Sequence, residues 1–390
     1  MAEAYIVDAV RTAGGRRGGR LAAWHPADMG GAVLDALVQR SGIDPGVIED
    51  VIFGCVGQAG EQSFHIARNC VLASALPESV PAVSIDRQCG SSQQALQFAA
   101  QAVLSGTQDV VIAGGVESMT RVPMGSPTLL ALKAGMGGPK SPRMEARYPG
   151  VEFSQFSGAE MMARKYDLSR EMLDAYALRS HRRAARATEA GEFDGEILPL
   201  PVDGPDGSGE LHRQDEGIRF DATAQSIASV KLLQEGGRIT AANASQICDG
   251  ASGVLVVSEA ALKRHGLTPM ARVHHLTVTG GDPVIMLEEP IRATRRALER
   301  AGMRIEDIDL YEVNEAFAPV PLAWLQSLKA DPERLNVNGG AIALGHPLGA
   351  SGTKLMATLL NALRRRGKRY GLQTMCEGGG LANVTIVEAL

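Results

Sequence analysis

Short apolar runs and helical stretches alternate along most of this 390-residue chain, and that alternation limits its architecture more than any other feature. Residues 5–10, 51–53, 83–85 and 110–112 have the texture of buried strands, while residues 29–39 and 95–103 repeat apolar side chains at helical spacing. The rhythm returns in the last third. Strands are expected at 254–257, 271–278, 308–313, 371–375 and 382–388, with helices at 290–301, 317–328 and 353–365. This succession predicts an α/β protein with helices on both faces of a mostly parallel sheet. In such sheets ligands gather at the carboxyl ends of strands, so a strand that gives way to a helix is where chemistry is expected.

Residues 121–239 break the rhythm. Loops rich in Pro and Gly at 123–127, 135–142 and 201–209 surround one helical stretch, 158–189, with a break at Leu168-Ser169 where Ser169 opens a second helix. Its basic cluster, Arg179, His181, Arg182, Arg183 and Arg186, reads either as a solvated helix face or as a surface for an anionic ligand. The segment has the look of an insertion between two halves. Each half pairs a reactive type of residue among small neighbours with a long helix, once at Cys89 and once at His346. Packed face to face, such halves bring both loops to one cleft.

The global properties mainly exclude. A formal net charge of -5 gives no support for nucleic-acid binding. Five widely spaced cysteines without a CxxC pair suggest neither a disulfide framework nor a zinc site. The opening residues lack a basic flank and a long apolar run, so neither a secretory leader nor a membrane span is expected, and a cytoplasmic location is. The Gly-rich stretch from Arg11 to Arg20 lacks the strand–GxGxxG–helix setting of a dinucleotide site.

Three loops carry candidate chemistry. Cys89 stands between a strand and a helix, where backbone N–H groups favour an anion; the plain alternative is a buried core cysteine. His346, between Gly345 and Pro347, is poorly placed for packing alone. Cys376 precedes Gly378-Gly379-Gly380, whose N–H groups can approach a developing oxyanion. A cysteine and a histidine that meet in space form an activated nucleophile pair. No GxSxG elbow supports a serine alternative. The residues point to chemistry on an acyl group, with hydrolase and transferase both open.

Taken in order, Val10-Arg11-Thr12, Gln88-Cys89-Gly90-Ser91, Gly114-Gly115-Val116-Glu117-Ser118-Met119, Asn243-Ala244-Ser245, Asn314-Glu315-Ala316-Phe317, Gly345-His346-Pro347 and Cys376 with Gly378 to Gly380 resemble the thiolase family along essentially the whole chain. The resemblance implies a five-layered α-β-α-β-α thiolase fold of two similar halves. An N-terminal domain spans 1–120 plus 240–268, a loop domain with the CoA and acyl contacts spans 121–239, and a C-terminal domain spans 269–390. It implies acetyl-CoA C-acyltransferase activity: thiolytic cleavage of a 3-ketoacyl-CoA through an acyl-cysteine. Coenzyme A is then a co-substrate, no metal or other cofactor is permanently bound, and the assembly is a homodimer or a dimer of dimers. Cys89 resembles the acyl-carrying nucleophile and His346 its base and an oxyanion donor. Asn314 resembles the residue holding the water that completes that oxyanion hole, and Cys376 the acid/base for the acetyl-CoA carbon. The N–H groups of Cys89 and Gly378 match a second oxyanion hole. Ser245 is similar to a residue beside the pantetheine, and Arg182 and Arg183 fall in the loop domain that touches the CoA nucleotide.

Departures from the family pattern bear on substrate. Ser154-Gln155 stand where short-chain biosynthetic members carry His-Met, which suggests a roomier acyl pocket. Ser92 and Glu377 replace the commoner glycine and apolar residue. The stretch from Asp86 to Gln94, Cys376-Glu377-Gly378-Gly379-Gly380 and Ala382-Asn383-Val384-Thr385-Ile386 resemble an actinobacterial subgroup, several members of which act on acyl-CoAs from steroid breakdown. The rivals are an ordinary fatty-acid β-oxidation thiolase, a condensing acetoacetyl-CoA thiolase and, in another class, a non-catalytic acyl-CoA-binding protein. The last is expected to have lost Cys89, His346 or Cys376, and the chain has all three.

Overall fold

The apolar runs form strands. In a computed structural model describing residues 2–390, Ala4–Thr12 (β1), Asp50–Gly54 (β2), Ala82–Ile85 (β3), Val110–Ser118 (β4) and Cys248–Ser258 (β5) build one half of a sheet. Ala271–Gly280 (β6), Leu310–Val313 (β7), Tyr370–Glu377 (β8) and Leu381–Ala389 (β9) build the other. Their order across the sheet is β7-β8-β9-β6-β1-β5-β4-β2-β3. The expectation of a mostly parallel sheet is corrected here. β2 runs parallel to β3 and β4, and β7 to β8, but β5 is antiparallel to β4 and β1, and β9 to β8 and β6. The reason lies in the connections: only residues 378–380 separate β8 from β9, too few for the crossover that a parallel pair needs.

The order β2-β4-β5-β1 in the first half repeats as β7-β8-β9-β6 in the second. The halves join where Tyr5 faces Arg272 and Ile6 faces Ala271 across an antiparallel contact.

Helices Pro26–Ser41 (α1), Ile66–Leu72 (α2), Ser91–Ser105 (α3), Gln155–Lys165 (α4), Arg170–Glu189 (α5), Glu289–Ala301 (α6), Pro319–Leu328 (α7) and Ser351–Arg365 (α8) pack on the sheet in layers. The α1 stripe of Met29, Val33, Leu34 and Leu37 covers the outer face of the first half against Ile112, Leu255 and Val257. Leu96 and Ala99 of α3 and Met356 and Leu360 of α8 form the middle layer, packed at once on Val254 and Val256 of β5 and on Leu310 and Val387 of the second half. Ile291 and Leu298 of α6 and Trp324 of α7 close the far side over Leu372, Val384 and Ile386. The sequence of layers is α-β-α-β-α. Each large apolar side chain buried this way contributes about 1.5–3 kcal/mol.

The middle layer is tight because its helices start against each other. A Cβ on Gly352 of α8 would stand 2.0 Å from the Gln93 nitrogen of α3, so only glycine fits. Gln97 Nε2 then donates to the Val384 carbonyl at 2.9 Å, tying α3 to the second half.

Residues 121–239 make no α/β unit of their own. Ser169 caps α5, its Oγ accepting the Met172 N–H, and α4 and α5 give Met162, Leu173 and Tyr176 to the core of the second half. Arg11 of β1 is fully buried between Glu196 and Asp215, at 2.7 and 2.9 Å, which anchors the segment to the first half. Among the described residues no helix is long and apolar enough to cross a membrane.

Candidate active site

Between β3 and α3 the chain makes a turn stapled at both ends. Asp86 Oδ1 accepts the Gln88 N–H at 2.6 Å, and Ser91 Oγ accepts the Arg87 N–H at 2.9 Å while donating to the Gln88 carbonyl at 2.6 Å. These bonds hold Gln88 at a φ of 50°, a conformation that costs a non-glycine residue about 1 kcal/mol or more. The result is a half-buried Cys89 one residue outside the helix N-cap, Gly90. The helix start does not make the thiol acidic, contrary to expectation. Burial, and next the charge of Glu377, push its pKa up to about 12, against a smaller pull from its own N–H. Cys89 therefore needs a base.

His346 is held in a suitable state. Its backbone N–H donates to the Gln246 carbonyl at 3.0 Å, and its ring Nδ1 lies 2.5 Å from Ser351 Oγ. With its one hydroxyl proton on the Pro347 carbonyl at 2.9 Å, Ser351 accepts from Nδ1–H, which assigns the tautomer. That leaves Nε2 without a proton, as an acceptor toward the Asn314 Nδ2–H at 3.4 Å. Burial, with a smaller repulsion from Lys354, lowers the histidine pKa to about 3 and keeps the ring neutral. The loop beyond is clamped by Glu117, whose carboxylate accepts the Gly349 N–H at 2.8 Å, and by Ser92, whose Oγ accepts the Thr353 N–H at 3.1 Å. The serine that departs from the family pattern thus ties the start of α3 to the start of α8.

Asn314 follows β7, and its N–H extends the sheet pairing to the Thr374 carbonyl at 3.0 Å. Next to it Glu315 accepts from Tyr176, Ser180, Asn336 and the Ile342 N–H, which fixes the turn. Asn314 Oδ1 is buried and has no protein partner among the described residues. Cys376 lies one residue before the end of β8, and its pKa is held well above the ordinary thiol value by burial first and by the charge of Cys89 second. The two thiols are thus near enough for the charge of one to act on the other. Gly378 packs on the Gln88 side chain at the opposite wall of the Cys89 turn.

The remaining predicted residues divide. Ser245 is half-buried beside the Asn314 turn, its N–H donating to the Ala316 carbonyl at 2.9 Å. Arg183 is committed elsewhere. It pairs with Glu333 at 2.8 Å and donates to the Leu335 carbonyl, while Arg179 and Arg186 donate to Pro332 and Val337. These arginines strap α5 to residues 332–337, which corrects the picture of a free cationic cluster at Arg183; Arg182 is exposed. His181 is buried and its pKa falls to about 4, so it adds no positive charge near neutrality. Sequence reasoning missed Ser351, Gln246 and the clamp made by Glu117. A lone acid at the end of an apolar strand was the available signal for Glu117. Among the described residues all five cysteines are free, and no group of three or more His, Cys, Asp or Glu side chains could hold a metal.

Comparison with known proteins agrees with this arrangement. The thiolase N-terminal domain matches residues 4–260 and the thiolase C-terminal domain residues 267–389. The chain is 53% identical over 392 residues to a steroid 3-ketoacyl-CoA thiolase, FadA6, of Mycobacterium tuberculosis, covering 100% of this chain and 95% of the relative. It is 42% identical to a 3-ketoacyl-CoA thiolase of Serratia proteamaculans and 41% identical to one of Cronobacter sakazakii, with full coverage of both chains in each case. With both domains matched end to end, the chain belongs to the thiolase family and is an acyltransferase.

Proposed function

We propose that this thiolase cleaves a bulky 3-ketoacyl-CoA, steroid-derived in its acyl part, by the following division of labour. Cys89 gives its proton to His346 Nε2 and adds to the 3-keto carbon. The imidazolium so formed and an Asn314-held water meet the oxygen of the departing acetyl-CoA enolate. Cys376 protonates the enolate carbon as the C2–C3 bond breaks, leaving the acyl group on Cys89. The thiol of free CoA then gives its proton to the Cys376 thiolate and attacks the acyl-cysteine, whose oxyanion meets the N–H groups of Cys89 and Gly378. The shortened acyl-CoA leaves, and Cys89 recovers its proton from His346. No proton is gained or lost overall.

One arrangement carries the reading: Cys376 is near enough for the charge of Cys89 to raise its pKa, while His346, kept neutral by burial, meets the Asn314 amide nitrogen at Nε2 and Asn314 Oδ1 is unpartnered among the described residues. A proton donor for carbon beside a nucleophile for carbonyl is what carbon–carbon cleavage requires and simple acyl transfer does not. Ser245 and Arg182 are assigned to the pantetheine and nucleotide of CoA, and residues 121–239 to the loop domain that carries such contacts. Self-association is assigned to the first half, where the sheet ends at β3 with Val83, Phe64 and Phe98 exposed.

The steroid assignment draws on the higher identity to the mycobacterial relative and on room near the site. A cavity of about 450 Å³ is lined by Phe156, Leu233 and Ile239, and Phe156 stacks edge-on against Phe317 of the Asn314 turn at 5.5 Å. The second reading, a fatty-acid thiolase, draws on the Serratia and Cronobacter relatives, whose names specify a 3-ketoacyl-CoA and no steroid. Thiolysis across 3-ketoacyl-CoAs of rising bulk decides between them. Steroid-derived substrates should exceed acetoacetyl-CoA at least about tenfold in kcat/KM, about 1.4 kcal/mol of transition-state binding. A preference for straight short chains rejects the steroid assignment, and failure to trap acyl on Cys89 rejects the mechanism.

A further inference from the structure

The repeat of one half by the other allows a comparison inside the chain. Helices α3 and α8 are each 15 residues long, and residues 106–109 and 366–369 link them to β4 and β8. Glu117 in the first half therefore takes the place that Glu377 takes in the second, and Gly349 the place of Cys89. Glu117 is a satisfied structural carboxylate. It accepts the N–H groups of Val56 and Gly57 at 2.9 Å, Gln62 Nε2 at 2.9 Å and the Gly349 N–H at 2.8 Å.

Glu377 is just as buried, yet neither of its oxygens has a hydrogen-bond partner among the described residues. Among the described residues the one cation near it, Arg87, stands 4.0 Å away, and the buried Nε of Arg87 is itself unpartnered. The carboxyl lies against the backbone beside the nucleophile: a Cβ on Gly90 would come within 2.1 Å of its Oε1. A buried carboxylate without donors is strongly disfavoured, and such a group keeps its proton instead. Burial pushes the Glu377 pKa up to about 8, against weaker pulls from the Arg87 charge and from the Asn383 N–H, which acts from outside hydrogen-bond geometry. The acidic groups that face Cys89 are Glu377 from β8, Glu117 from β4 and Asp86 from the turn before it, with Glu377 the strongest. Cys376 faces it as a second thiol.

We propose that Glu377 is a positioning residue that governs how much negative charge the Cys89 site can carry. As a neutral acid it leaves the thiolate and the acyl oxyanion to the N–H groups at the start of α3. As a carboxylate it opposes both. The only change at Glu377 is exchange of a proton with solvent. The proposal rests on the reading of Cys89 as the nucleophile.

Iodoacetamide alkylation, followed on the Cys89 peptide by mass spectrometry from about pH 6 to about pH 10, reads thiolate content without turnover. Glu377→Gln keeps the shape of the side chain and removes its titration. The two proteins should react alike near about pH 6, where Glu377 holds its proton, and the variant should react about tenfold faster near about pH 9, the effect of one unit of thiol pKa. Arg87→Gln removes the cation that favours the carboxylate, so the wild-type lag should begin at higher pH. Superimposable profiles for wild type and Glu377→Gln overturn the proposal. Should that variant not fold, an unmoved onset in Arg87→Gln overturns it. The two readings separate by where the label goes. Label on Cys376 in place of Cys89 rejects the nucleophile assignment, whereas label on Cys89 with superimposable profiles rejects only the role of Glu377.

Discussion

Ser351 decides which nitrogen of His346 is free. With the hydroxyl proton on the Pro347 carbonyl at 2.9 Å, Ser351 accepts from Nδ1 at 2.5 Å, and Nε2 is left as the base. Ser351 opens α8, so helix packing holds the histidine in register. Ser351→Ala should leave Nδ1–H without its partner and let the ring adopt the other tautomer. The expected outcome is a fall in kcat of about 10–100-fold with KM little changed, the usual scale for a lost orienting partner. Ser351→Thr, which keeps the hydroxyl, should recover part of it. A fall in KM-related binding alone, with kcat intact, would speak for a packing role.

Cys376 and Cys89 are electrostatically coupled but have different tasks. Each thiol is buried enough to be neutral, and the charge of one raises the pKa of the other. The arrangement favours one anion at a time, first at Cys89 and then at Cys376. Cys376→Ala should retain acylation of Cys89 by an activated acyl donor, seen as a mass increase on the Cys89 peptide. It should lose condensation and exchange of the acetyl-CoA methyl protons with solvent by about 100-fold or more, the scale of a general acid. Normal proton exchange in that variant would remove Cys376 from the enolate step.

The sequence makes the layers legible because strands buried on both faces are written as unbroken apolar runs, such as Val254-Leu255-Val256-Val257. Their directions are not legible. β5 returns only after 121–239, and nothing local to its residues says that it runs against β4. Cys89, His346 and Cys376 stand out because reactive side chains in glycine-rich loops have few structural reasons to be there. Burial is what the sequence withholds. A cysteine at a helix start suggests an acidic thiol, yet packing against Glu377 and the protein interior reverses the sign. Arg183 belongs to the same class of miss, since its partner Glu333 arrives from a distant loop. Ser351 reads as an ordinary first-turn serine until His346 is seen against it.

The pH dependence of stability offers a test of the neutral histidine that needs no substrate. Folded His346 stays unprotonated down to about pH 3, whereas in the unfolded chain a histidine takes up a proton near about pH 6.5. The unfolded state therefore binds more protons in this window. The stabilising contribution is complete above the unfolded value and is lost as pH falls toward the folded one, with a slope of up to about 1.4 kcal/mol per pH unit. His181, lowered to about 4 by burial, adds to the same limb. Glu377, raised to about 8, acts with the opposite sign: it favours the folded state at low pH and withdraws that stability as pH rises through its folded pKa. Because these terms oppose, the comparison of variants carries the information. Urea unfolding of wild type and His346→Gln between about pH 4 and about pH 7 should give a shallower acid limb for the variant by about one proton's worth of slope. Parallel curves would mean that His346 titrates alike in the folded and unfolded chain, so that burial does not hold the ring neutral.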